Sequence, residues 1–150
     1  MTDAEAQFET FIARFLPDVA VVGRDAIARL RERLPEANIL VYDNYNALAA
    51  GFAPGESSRD AILSIAFYPR WVSLFFLQAV RGLDDPDGVL KGNGNVVKHV
   101  VLKSADDLDS PVISRLIDQA LIMAKVPLDP GHEGRLIIKS VSAKQRPRQP

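Results

Sequence analysis

The sequence predicts an α+β fold built on an antiparallel sheet, and three observations predict it. The first 34 residues carry apolar side chains at helical spacing, and the middle of the chain then switches to short apolar runs separated by turn-length breaks. No helical stretch intervenes between the first four of those runs. Strands joined by short turns pair antiparallel, because a parallel partner needs a crossover of about a dozen residues or more. Helices first and strands afterwards is the order of an α+β domain, and parallel pairing is not expected here.

Phe8, Phe11, Ile12, Phe15 and Leu16 fall on one helical face, and Thr2 with Glu5 has the spacing of a capping box. Pro17 ends this helix, since proline lacks the N–H of the next helical bond. Asp18 is then read as the cap of a second helix reaching Leu34, with Ile27, Leu30 and Leu34 inward and its arginines solvated. Strands follow at Ile39–Tyr42 and, more weakly, at Asn46–Ala53. Ala61–Tyr68 and Trp71–Leu77 form a hairpin through Pro69-Arg70, with Leu63, Ile65 and Phe67 sharing one face and Val72, Leu74 and Phe76 sharing another. Ile62, Trp71, Phe75 and Leu77 make this hairpin read as apolar on both sides. An irregular segment, Arg81–Asn95, is about as long as a structureless loop inside a domain becomes. Val96–Lys103 returns to strand, and Ser110-Pro111 starts a helix that runs until Pro127. Arg135–Lys139 is a last strand. Residues 1–143 are thus expected to form a single domain, and the polar, basic tail 144–150 is expected to be disordered.

Composition narrows the function. Of 150 residues, 47% are hydrophobic and 25% charged, which suits a globular domain with a real core. A net charge of -1 supplies no global field toward nucleic acid or membrane. With no cysteine there is no disulfide, thiolate metal site or cysteine nucleophile, in keeping with a cytoplasmic location. The start of the chain lacks the apolar run of a signal peptide, and no stretch is apolar for long enough to span a membrane.

Residues able to carry chemistry are few. Neither His99, in a strand, nor His132, in a turn, has a serine and aspartate at triad spacing, so no enzyme is expected. Asp84, Asp85 and Asp87 are the candidate metal ligands, since hard cations take oxygen donors, although a calcium loop aligned on Gly88 fails at its first and last positions. Asp106, Asp107 and Asp109 precede a helix, where acids also favour the positive end of the dipole. Lys91, Gly92 and Gly94 offer an anion cradle of glycine N–H groups, to which Lys98 and His99 add charge. Tyr42, Tyr45 and Trp71 belong to an aromatic concentration in the strand region that suits a pocket with hydroxyls at its mouth.

The stretch Asp84-Asp85-Pro86-Asp87-Gly88-Val89-Leu90-Lys91-Gly92-Asn93-Gly94, followed by Lys98-His99-Val100 and Ala105-Asp106-Asp107-Leu108-Asp109, resembles the YdhG-like family of bacterial domains of unknown function. Tyr42–Leu48 and Tyr68–Val72 are similar to one branch of it, and the likeness extends over roughly Glu9 to Val126. The resemblance implies a two-layer fold of the secretion-chaperone-like class, its antiparallel sheet of about five to six strands covered by helices on one face. It also implies, from one branch, a frataxin-like role in intracellular iron delivery. Many members carry a Gly-x-Pro-Tyr-like segment where this chain reads Tyr42-Asp43-Asn44-Tyr45-Asn46, and no iron ligand of the family maps onto a position here.

The expectation is therefore a non-enzymatic binding domain, taking a small ligand or protein partner on the sheet face and the 82–95 loop, with no cofactor. Tyr42, Tyr45, Trp71, Lys91, Gly92, Gly94 and His99 are its expected ligand residues. The alternative is iron carriage by the acidic groups. The doubly apolar hairpin further predicts a homodimer, checked by sedimentation across concentration.

Overall fold

The computed structural model describes residues 2–150. Helices α1 (Asp3–Ile12) and α2 (Pro17–Arg33) come first, then strands β1 (Asn38–Asp43), β2 (Leu48–Ala53), β3 (Leu63–Phe67), β4 (Val72–Phe76) and β5 (Lys98–Leu102). Helix α3 (Pro111–Ile122) and strand β6 (Leu136–Val141) complete the order, with short 3-10 turns at Ser58–Asp60, Ala79–Arg81 and Ala105–Asp109. No helix is long and apolar enough to cross a membrane.

The six strands form one sheet in the order β5-β4-β3-β2-β1-β6. The first five make an antiparallel meander, as short connections dictate. The last departs from expectation, because β6 pairs parallel with β1, its register shifting between Val41 and Tyr42. The chain leaves β5 at one edge, passes through α3 and reaches the opposite edge, so the parallel partners are far apart in sequence and no local spacing announces them.

Alternation along the strands sets the core. Val41, Ala50, Ile65 and Leu74 lie in register on the inner face and pack with Phe8, Ile12, Ile27, Leu30 and Ile117 of the three helices in one apolar cluster. A smaller cluster on the outer face, Leu40, Ala53 and Ala61 with Tyr42, Leu77 and Ile137 against it, contains no helical residue. The helices therefore cover one face only. Phe67 is central to the larger cluster: its ring meets Phe8 edge-on at 6.5 Å between centroids and Phe15 at 5.5 Å. Helix α2 approaches this ring at Gly23, where a side chain as small as one methyl has no space.

Helix ends follow local chemistry, with one correction. Thr2 caps α1 by accepting the Glu5 N–H, and Ser110 caps α3 by accepting the Ile113 N–H. Asp18 does not cap α2: the cap position lies two residues earlier, at Leu16, which makes no side-chain bond, and Pro17 is in the first turn. Proline's fixed φ suits a first helical turn, so Pro17 opens the second helix; it does not end the first, which stops at Ile12 with Ala13 as its C-cap. The arginines of α2 reach across to carboxylates on neighbouring elements: Arg24 to Glu9, Arg31 to Glu5, Arg29 to Asp106 and Asp109, and Arg33 to Asp118.

The segment 144–150, expected to be disordered, is docked on the domain. Arg148 is only 6% exposed, and its guanidinium bonds the Asp43 carboxylate at 2.8 Å and the Asn44 carbonyl at 2.6 Å while lying over the Phe15 ring. Gln145 donates to the Asp43 carbonyl, and the Arg146 N–H donates to the Tyr45 carbonyl at 2.9 Å. The composition of the tail offers no apolar anchor. A buried ion pair and an aromatic face supply one instead.

Candidate functional site

The outer face of the sheet has small residues at its centre and rings around them. Alternation puts Ala49 and Gly51 of β2, Ser64 and Ala66 of β3, Ser73 and Phe75 of β4, and His99 and Val101 of β5 on this side. A floor of Ala49, Ser64 and Ala66 beside Tyr45, Tyr68 and Phe75 leaves a concavity of about 540 Å³. A second concavity of about 740 Å³ adjoins it, lined by Asn46, Tyr68, Pro69, Arg70, Trp71, Arg146 and Pro150. Asn46 and Tyr68 line both, so the two form one trough running from the sheet centre to the β3–β4 turn. No carboxylate side chain lines either part.

The β3–β4 turn presents the trough's best-defined surface. Tyr68 donates its N–H to the Trp71 carbonyl at 2.9 Å across Pro69-Arg70, which brings the two rings into a stack with centroids 4.7 Å apart and planes 17° from parallel. Trp71, at 43% exposure, keeps much of its ring in solvent. Two residues on, on the outer face of β4, Ser73 is 1% exposed, and its hydroxyl has no hydrogen-bond partner among the described residues.

Burial raises the Tyr68 pKa above its usual value of 10.0, because the phenolate is penalised by desolvation. A phenol that holds its proton more tightly when folded contributes stability that is fully present below about pH 10 and is lost as pH rises through the folded-state value. In an alkaline titration followed by phenolate absorbance, the transition removed by Tyr68→Phe is expected to have its midpoint above about 10. A missing transition at or below that value would contradict the burial.

The docked tail brings Arg146 to the trough. Its guanidinium lies 5.5 Å from the centre of the Tyr45 ring, on a backbone held by the bond to the Tyr45 carbonyl. Arg70 sits in the turn opposite. Neither arginine is ion-paired among the described residues, whereas seven others hold a carboxylate.

Of the residues expected to bind ligand, Tyr45 and Trp71 border this trough. Tyr42 packs instead against the small outer cluster of Leu40, Ala53 and Ala61. His99 stacks on Phe75 at 5.1 Å and exchanges backbone bonds with Lys91, which pins the end of the long loop to the outer edge of β5. Lys91, Gly92 and Gly94 therefore lie along the sheet edge and line neither concavity. Lys98 Nζ donates to the Gly92 carbonyl at 3.0 Å, so this lysine is engaged within its own loop. His132 bonds Asn38 at 2.9 Å, away from the trough.

Asp84, Asp85 and Asp87, the candidate metal ligands, do not converge. The Asp85 carboxylate accepts the Val89 and Leu90 N–H groups at 3.1 and 2.9 Å, closing the turn. Among the described residues no three Asp, Glu or His side chains are grouped to hold an ion. In the second acidic group, Asp107 caps its own turn by accepting the Lys103 N–H, and Asp106 and Asp109 bind Arg29. The hydrogen bond to Asp106, foremost, raises the Arg29 pKa.

The outer side of the hairpin is mixed and not uniformly apolar: Ser64 and Ser73 stand among Ala66, Trp71, Phe75 and Leu77, which weakens the motive for a dimer. Sequence reasoning missed Arg70, Arg146 and the floor of Ala49, Ser64 and Ala66. The one available signal was the low side-chain volume of Asn46–Ala53, which reads as a weak strand and is in fact where the sheet is hollow. A second groove, of about 260 Å³ between α1 and α2, is bridged by the Arg24–Glu9 and Arg31–Glu5 ion pairs. Compared with protein-family models, curated proteins and solved structures, the chain has no significant match.

Proposed function

We propose that this chain is a non-enzymatic binding domain that takes a small, flat molecule into the trough on its outer sheet face. The observation that carries this is the row Ala49, Ser64 and Ala66 lying low beside Tyr45, Tyr68 and Phe75. Ligand sites are concave, about 300–1,000 Å³ in volume, mostly apolar and furnished with a few polar groups. A cavity of about 540 Å³ with tyrosine and asparagine at its mouth fits that description. Flat rings suit it because aromatic walls gain most from offset or edge-on contact with another ring.

The test uses 2-naphthol, a neutral two-ring probe, titrated into the full chain and followed by amide NMR shifts. Saturable shifts are expected at Ala49, Ser64 and Ala66, with the indole N–H of Trp71, the only tryptophan, as an additional reporter. Ala49→Leu, which fills the floor at a partly exposed position, is expected to abolish them while leaving the rest of the spectrum folded. Shifts scattered over the surface, or none up to the probe's solubility limit, would overturn the proposal.

A further inference from the structure

Resting on the binding role above, we infer that the molecule taken up is an organic anion: its ring stacks on the Tyr68–Trp71 shelf and its carboxylate or phosphate sits between Arg70 and Arg146. Three observations converge on this chemistry. Arg70 comes from the middle of the chain and Arg146 from the last few residues, yet they line one concavity of about 740 Å³. Both lack an ion-pair partner among the described residues, in a protein whose other arginines mostly have one. No Asp or Glu side chain lines the trough to neutralise them, and the terminal residue Pro150, which does line it, makes no ion pair with either.

Two arginines bordering one largely apolar space favour an anion there, and a planar fork of donors matches a carboxylate or phosphate. The exposed part of Trp71 provides the face for the ring. Asn46, which borders both halves of the trough, adds an amide that can donate to an anion's remaining oxygen. The docked tail takes part in this, since Arg146 is positioned at the site by the bond of its N–H to the Tyr45 carbonyl and the contact of its guanidinium with the Tyr45 ring, on a segment anchored by Arg148 at Asp43.

The experiment compares 2-naphthoate with 2-naphthol on the intact protein, which separates charge from ring. Naphthoate is expected to bind about tenfold more tightly, and its advantage to shrink as salt is raised and screening shortens the reach of the arginines. Arg70→Gln and Arg146→Gln are each expected to cost naphthoate about threefold to tenfold and to leave naphthol unchanged. Arg59→Gln, removing an exposed and unpaired arginine that does not line the trough, is the control and is expected to change neither. Unchanged melting of the glutamine variants separates lost recognition from lost folding. If both probes bind equally, or if the glutamine variants keep the naphthoate preference, the anion assignment is overturned while the binding role stands. If neither probe binds, both fall.

Discussion

Gly23→Ala is expected to destabilise the protein by about 2 kcal/mol, even though alanine is the better helix former. At an open position in a helix the exchange would stabilise by about 1 kcal/mol, because glycine forgoes more backbone freedom on folding. Here the added methyl would lie 2.0 Å from Cε2 and 2.3 Å from Cζ of the Phe67 ring, well inside contact distance. The ring has nowhere to go: Phe67 is fully buried, with Phe8 and Phe15 against it. Helix α2 must lift from β3, and the packing loss exceeds the gain in propensity. For a chain of this size the melting temperature falls by about 4–8 °C. Phe67→Leu in the same background is expected to recover part of that loss, although Phe67→Leu alone is destabilising, so a double-mutant cycle gives a coupling of opposite sign to the two single losses. Additive losses would mean that the helix and the ring are not in contact as described.

How much of this was legible beforehand depended on whether the deciding interaction was local. The four-strand meander, the capping of α1 by Thr2 and the start of α3 at Ser110-Pro111 were all readable, because each is settled by residues within a few positions of one another. The parallel pairing of Ile39 with Leu136 was not, since it joins residues near opposite ends of the chain. Periodicity reports which face a side chain takes and says little about relief, so Ala49, Ser64 and Ala66 read as poor strand formers until their neighbours Tyr45, Tyr68 and Phe75 stood around them. Aromatic residues were the visible half of the trough, which is why Tyr45 and Trp71 were found and Arg70 and Arg146 were not. The loop 82–95 misled for a related reason. Its glycines and acids resemble ligand chemistry, and the chain uses them on itself, through Asp85 on Val89 and Leu90 and Lys98 on Gly92.

Asp43→Asn is expected to cost about 3 kcal/mol and to release the tail. Asp43 is 1% exposed at the inner end of β1, with one carboxylate oxygen 2.6 Å from Arg14 and the other 2.8 Å from Arg148. The two cations stand differently. Arg14 is substantially exposed and can turn to water, whereas the Arg148 side chain is 4% exposed, and its Nε and Nη1 have no hydrogen-bond partner among the described residues. Once the carboxylate is neutral, the fold retains a buried guanidinium with no counter-charge, and the least costly response is for the segment carrying it to leave. Release exposes the Phe15 face and breaks the bond from the Arg146 N–H to the Tyr45 carbonyl, so that amide is expected to lose its protection against hydrogen exchange while Ile65 and Leu74, in the central strands, keep theirs. Asp43→Asn is therefore also expected to weaken naphthoate binding as much as Arg146→Gln does, from a residue that lines neither concavity. The arginine latched on Asp43 and the arginine at the trough's rim, Arg148 and Arg146, are carried by one short stretch of chain, two residues apart. Retained protection at Arg146 in the asparagine variant would show that the tail is held by something other than this pair.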